Sequence, residues 1–132
     1  MSTLPELEVF PNPNKARDYS IDIEVPEFTC ICPKTGQPDF AILKLSYIPD
    51  AMCLELKALK LYCTAYRNQG AYHEAVTNQI LDDFVNAAQP RYMRLRAEFY
   101  PRGGIYTNIE ADYRQVNWTP QPVTSLSGQS DF

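Results

Sequence analysis

The chain is short of several things that large functional classes require. It has one histidine, His73, among 132 residues. A catalytic zinc held by imidazoles needs more nitrogen ligands than that, and Cys30-x-Cys32 lacks the C-x₂₋₄-C spacing of a structural zinc site. Basic residues are also scarce: 12 Lys and Arg face 16 Asp and Glu, a net charge of -4. A surface that neutralises many phosphates needs the opposite balance, so nucleic acid is not an expected partner. No segment approaches the ~20 apolar residues that span a bilayer, so no membrane is expected. The opening MSTLPELEVF has neither the basic region nor the apolar run of a signal peptide, which points to a cytoplasmic protein. A Rossmann-type Gly-rich fingerprint is missing too, so any dinucleotide would have to be held in another way.

What remains is an ordinary globular composition, 45% hydrophobic and 21% charged, in a chain long enough to bury its own core. One domain over 1–132 is expected, with an extended Pro-rich arm over 1–15 and a polar tail over 114–132. Four cysteines without a secretion signal do not argue for a disulfide framework. Cys63, inside an apolar helical run, reads as core. In SIDIEVPEF, Ile21, Ile23 and Val25 alternate with Asp22 and Glu24, the spacing of a strand with one buried face. Phe40 to Ile48 reads as a second strand, joined to the first by FTCICPKTGQPDF. From Glu55 the period changes: Leu56, Leu59, Cys63 and Tyr66 form a helical stripe, with Gly70 as its stop. A second helix spans Tyr72 to Ala88 and ends at Pro90. Two further strands flank Pro101-Arg102-Gly103-Gly104. The expected fold is α+β, a ββααββ antiparallel sheet with helices on one face. Such a sheet has two open edges, which subunits joining into a barrel would close.

Three groups of residues bear on chemistry. Cys32, between a strand and a Gly/Pro-rich turn, reads either as a buried cysteine or as an exposed nucleophile whose thiolate is favoured by Lys34. Asp39, seven residues on, is either a turn cap or an acid folded back to exchange a proton with the site. His73-Glu74 combines the one side chain that titrates near neutrality with a carboxylate able to accept two parallel bonds from a purine-like edge. A first-turn Glu favoured by the helix dipole explains the same residues. Lys57 and Lys60, at i and i+3, leave one helical face together and could hold phosphates, or simply solvate the helix. Arg102-Gly103-Gly104 is a phosphate clamp or a hairpin turn. Taken separately, the residues leave these alternatives open.

In order along the chain, these segments resemble the NADPH-dependent nitrile reductases of queuosine biosynthesis. Glu55-Leu56-Lys57-Ala58-Leu59-Lys60-Leu61-Tyr62 is similar to that family's signature. Cys32-Pro33-Lys34-Thr35-Gly36-Gln37-Pro38-Asp39-Phe40 resembles its nucleophile loop, and Tyr72-His73-Glu74 its substrate motif. The resemblance runs from about Val9 to Tyr113. It implies the tunnelling fold (T-fold) and a homo-oligomer with intersubunit active sites, a decamer of two stacked pentamers. The implied reaction reduces the nitrile of 7-cyano-7-deazaguanine to the aminomethyl compound with two NADPH.

The resemblance also assigns roles. Cys32 would add to the nitrile carbon and give a thioimide, Asp39 would protonate the nitrogen, and His73 would assist proton delivery. Leu54, Glu55, Leu56, Tyr72, His73 and Glu74 would bind the deazapurine. Leu56, Lys57, Lys60, Arg102 and Gly103 would hold NADPH. Cys30 stays open as an alternative thiol, although Pro33-Lys34-Thr35-Gly36 follow Cys32. Two other functions fit the same fold: a zinc-dependent GTP cyclohydrolase or pterin-type enzyme, which stoichiometric zinc would reveal, and a silent purine-binding oligomer, in which Cys32→Ala changes nothing.

Overall fold

The computed structural model describes residues 4–120. Along the chain run β1 (Val9–Pro11), β2 (Ile21–Ile31), β3 (Pro38–Ile48), β4 (Met52–Leu54), α1 (Leu56–Ala65), a 3-10 turn (Tyr66–Asn68), α2 (His73–Ala88), β5 (Tyr92–Arg102) and β6 (Ile105–Arg114). The main sheet is antiparallel in the order β2-β3-β5-β6, so the expected ββααββ arrangement is present, and β2 and β6 are its edges. A second, two-stranded pair was not expected: β1, inside the stretch read as an extended arm, pairs with β4 through Phe10 and Cys53. Residues 1–3 of that arm and 121–132 of the tail lie outside the described residues. The tail is expected to begin at 114, but β6 continues through Arg114.

Alternation decides which face of each strand is buried. Asp39, Ala41, Leu43, Leu45 and Tyr47 of β3 turn inward, as do Met93, Leu95, Ala97 and Phe99 of β5. They pack under Leu59, Cys63, Val76, Ile80 and Phe84 of the helices, forming one core. The opposite face is charged, with Lys44–Glu98 at 3.1 Å and Arg96–Glu98 at 2.8 Å. Helices therefore cover one face only. In β2 the register shifts between Val25 and Phe28, a bulge at Pro26-Glu27. Proline is tolerated there because it lies at a bulge on an edge strand and removes no ladder donor.

Strand β2 also runs further than its sequence suggests. Phe28 and Cys30, read as loop, are buried strand residues, and the turn proper is only the stretch from Cys32 to Gln37. The expected helical stripe holds for Leu59, Cys63 and Tyr66, whereas Leu56 is exposed at the first turn. Gly70 is not the stop of α1, which passes at Ala65 into the 3-10 turn. Gly70 instead forms a parallel bridge to Ile31. Helix α2 ends on Gln89 in the left-handed conformation (φ 47°) just before Pro90.

Candidate active site

The turn after β2 is closed by two backbone bonds: Cys32 N–H donates to the Gln37 carbonyl at 2.8 Å, and Gly36 N–H to the Cys32 carbonyl at 2.9 Å. Gly36 takes φ +70°, a conformation that costs a side chain steric energy. The stretch leading into α2 is zipped onto the end of β2. Ile31 N–H donates to the Gln69 carbonyl (2.9 Å) and Ala71 N–H to the Ile31 carbonyl (3.0 Å). Those bonds set Tyr72-His73-Glu74 beside Cys32. Together Cys32, Asp39, Tyr72, His73, Glu74 and Arg102 line one cleft of about 330 Å³.

Within it, the buried Asp39 carboxylate is held from two sides. Its Oδ1 accepts from Arg102 Nη1, and its Oδ2 lies 3.2 Å from His73 Nε2. The His73 ring is stacked flat on Phe99, with centroids 3.7 Å apart and planes 4° from parallel. Thr77 donates its hydroxyl to the His73 carbonyl at 2.8 Å, fixing the first turn of α2. Glu74 is exposed in that turn, and among the described residues its carboxylate has no hydrogen-bond partner.

The two neighbouring thiols differ sharply. Burial, helped by the nearby Asp39 and Cys32, pushes the Cys30 thiol up to about 11. Cys32 is held below its usual value, chiefly by the Thr35 hydroxyl and then by the backbone N–H groups of Thr35 and Lys34. The expected cause, the charge on Lys34, is thus corrected: hydrogen bonds from the turn stabilise the thiolate, as at other reactive cysteines. Cys63, read as core, is buried and pushed up to about 12.

Not all expected site residues enter this cleft. Glu55 caps α1, its carboxylate accepting from Ala58 N–H (2.8 Å) and Lys57 N–H (3.0 Å). Those bonds, with Ala58 first, hold its pKa below the usual value. Leu56 and Lys60 line a different cavity, about 310 Å³, between β2 and α1, together with Arg67. Leu54 lines neither cavity and is buried, its N–H donating to the Tyr47 hydroxyl at 2.9 Å. Among the described residues Lys57, Lys60 and Arg67 form no ion pair. Lys60 and Arg67 line that slot beside Glu24 and Glu27, and cations left without an ion pair there can meet the phosphates of a dinucleotide. The sequence reading missed Phe99, Thr35 and Arg67. Phe99 had one signal, since the β5 alternation that buries Ala97 also turns Phe99 toward the helices.

A mixed α+β layer with this strand order and its helices on one face defines the tunnelling-fold class. A solved apo structure of an archaeosine synthase described as QueF-like shares the fold at TM-score 0.68, covering 74% of this chain and 95% of that one at 21% identity. The model of the QueF-like protein family matches residues 38–118, and the chain belongs to that family. Among its relatives is an NADPH-dependent 7-cyano-7-deazaguanine reductase from Alkalilimnicola ehrlichii, 57% identical over 129 residues, covering 96% of this chain and 100% of the relative. Another protein of that name, from Nitrosomonas eutropha, is 62% identical over 128 residues, covering 96% and 92%.

Proposed function

We propose that this chain is an NADPH-dependent oxidoreductase that reduces the nitrile of 7-cyano-7-deazaguanine to the primary amine, with Cys32 as its nucleophile. The observation that carries the reading is the meeting of Cys32, its thiolate favoured by its own turn, with Asp39 and His73 in one cleft. The relatives' shared name supports the substrate and the cofactor. It also favours this reading over a zinc-dependent cyclohydrolase or a silent binding module.

The Cys32 thiolate adds to the nitrile carbon as the carboxyl of Asp39 gives its proton to the nitrogen, and the product of that step is a neutral thioimide. His73, in hydrogen-bond reach of Asp39, returns a proton to it for the next turn of the cycle. The free Glu74 carboxylate accepts the N–H/NH₂ edge of the base, and the exposed Tyr72 ring stacks on its face. Two NADPH, bound one after the other, would each supply one of the two hydrides that the reduction consumes. Lys57 and Lys60 would hold its phosphates, with Leu56, Arg102 and Gly103 beside them.

Two cavities share this work without sharing a lining residue. Two copies joined through the free edges of β2 and β6 would bring α1 of one subunit, with Leu54, Glu55 and Leu56, toward the Cys32 cleft of the next. Ten subunits in two stacked rings is the assembly proposed, in the cytoplasm. Among the described residues no helix is long and apolar enough to cross a membrane. The deciding experiment mixes the protein with saturating nitrile and no NADPH. A thioimide absorbance and a matching mass adduct, both lost in Cys32→Ala, are expected. A wild-type chain that forms neither sinks the mechanism.

A further inference from the structure

Arg102 is assigned above to the cofactor, yet its guanidinium is engaged with Asp39. It is the last residue of β5, paired with Ile105 across a turn whose two glycines take φ 60° and 79°. Of this hairpin turn, Arg102 lines the cleft. Arg102 Nη1 donates to the Pro38 carbonyl at 2.9 Å and to Asp39 Oδ1. A terminal guanidinium nitrogen carries two hydrogens, so Nη1 is fully spent on β3. Among the described residues Nε and Nη2 have no partner, so an anion can bind there without disturbing the contact to Asp39.

We propose that Arg102 is a positioning residue for Asp39 in the covalent half of the reaction, before any cofactor is bound. The inference rests on the thiol-addition reading of the cleft. The terminal torsion of an Asp side chain is broad, so packing alone leaves the carboxyl plane loosely set. Here the plane is fixed by two groups from different elements. Arg102, from the β5–β6 hairpin, holds Oδ1, and His73, itself flattened on Phe99, meets Oδ2. A charge-assisted bond from a planar guanidinium nitrogen that the Pro38 carbonyl holds in place sets direction as well as distance. During thiol addition the Cys32 sulfur forms its bond to the nitrile carbon, one C–N π bond breaks, and Asp39 loses a proton to nitrogen. Arg102 occupies Oδ1 as a donor, so the proton leaves from Oδ2, which must already face that nitrogen, and misplacing a group by about 1 Å costs on the order of 10²-fold.

The test measures thioimide formation by rapid mixing of the full chain with 7-cyano-7-deazaguanine in the absence of NADPH, for wild type, Arg102→Met and Arg102→Lys. Arg102→Met is expected to slow the adduct by about tenfold to a hundredfold, within the range of a general acid's contribution. Arg102→Lys, which keeps a cation but not the fork, is expected to recover part of the loss. Alkylation of Cys32 by iodoacetamide should stay within about twofold in all three, because the thiol's own activation comes from Thr35. Arg102 is partly exposed at a hairpin, so the variants are expected to fold. If Arg102→Met forms the adduct at the wild-type rate and only its KM for NADPH rises, Arg102 serves the cofactor alone and the proposal is overturned. A loss of iodoacetamide reactivity in step with the adduct also overturns it, because the cleft as a whole has then changed. If wild type forms no adduct, the thiol-addition reading falls and takes this inference with it.

Discussion

Cys30 and Cys32 lie two residues apart, and the structure predicts that only one reacts. Burial pushes the Cys30 thiol up to about 11, while hydrogen bonds from its own turn hold Cys32 below the ordinary 9.0. Each unit is tenfold in thiolate, so near neutrality Cys32 carries at least about 100 times more of it. Lower basicity weakens a thiolate as a nucleophile, which over two units takes back about tenfold. That leaves an advantage of about tenfold from acidity alone. Burial multiplies it, because a reagent reaches Cys30 only after β2 opens locally. Treatment with limiting iodoacetamide at pH 7, followed by fragment-ion mapping of the peptide that holds both residues, should place more than about nine-tenths of the label on Cys32. Comparable labelling of Cys30 would refute the reasoning. So would a nitrile adduct that survives in Cys32→Ala but disappears in Cys30→Ala.

Other outcomes follow from the same contacts. Thr35→Val removes the largest contribution to Cys32 acidity, so the midpoint of its pH–alkylation curve should move up; an unmoved midpoint refutes the turn's role. Tyr47→Phe leaves the Leu54 N–H buried without its acceptor. It should cost about 1–3 kcal/mol by urea denaturation at fixed protein concentration, and no change would mean the bond contributes nothing. Cys63 is raised from 9.0 to about 12 in the fold, so both states are protonated below pH 9 and only the unfolded chain ionises just above it. Stability should therefore fall as pH rises from about 9 to 12, and Cys63→Ala should flatten that fall. An equal fall in the variant would show that other buried groups, such as Cys30 or Tyr47, dominate.

Much of this was legible in the sequence because it is local. The alternation of Ile21, Ile23 and Val25, the stripe of Leu59, Cys63 and Tyr66, and the Gly103-Gly104 turn each depend on neighbours a few residues away. What was missed depends on long-range contact. The β1–β4 pair joins segments more than 40 residues apart. Arg91 gathers the Lys15 carbonyl (2.9 Å), Asp18 (2.7 Å) and Asp50 (3.2 Å), and no spacing rule announces that. The Phe99 platform under His73 is of the same kind. Lys34 is a different sort of miss. A charge was credited where hydrogen bonds act, first from the Thr35 hydroxyl and then from backbone N–H groups, because the sequence shows the ammonium but not the direction of a donor.

The bulge at Pro26-Glu27 connects these two levels. Before it, the odd-numbered residues Ile21, Ile23 and Val25 face the helices; after it, Phe28 and Cys30 do. One extra residue flips every side chain downstream to the other face of the sheet. Without it, Thr29 and Ile31 would point inward, and the phase would carry Cys32 toward the charged face, away from α2. With it, Cys30 fills the core and Cys32 continues in the same phase, leaving the sheet on the side where His73 begins α2. Asp39 arrives on that side independently, through the alternation of β3. A proline in an edge strand, unremarkable as a local signal, thus decides which cysteine is buried and which meets the acid.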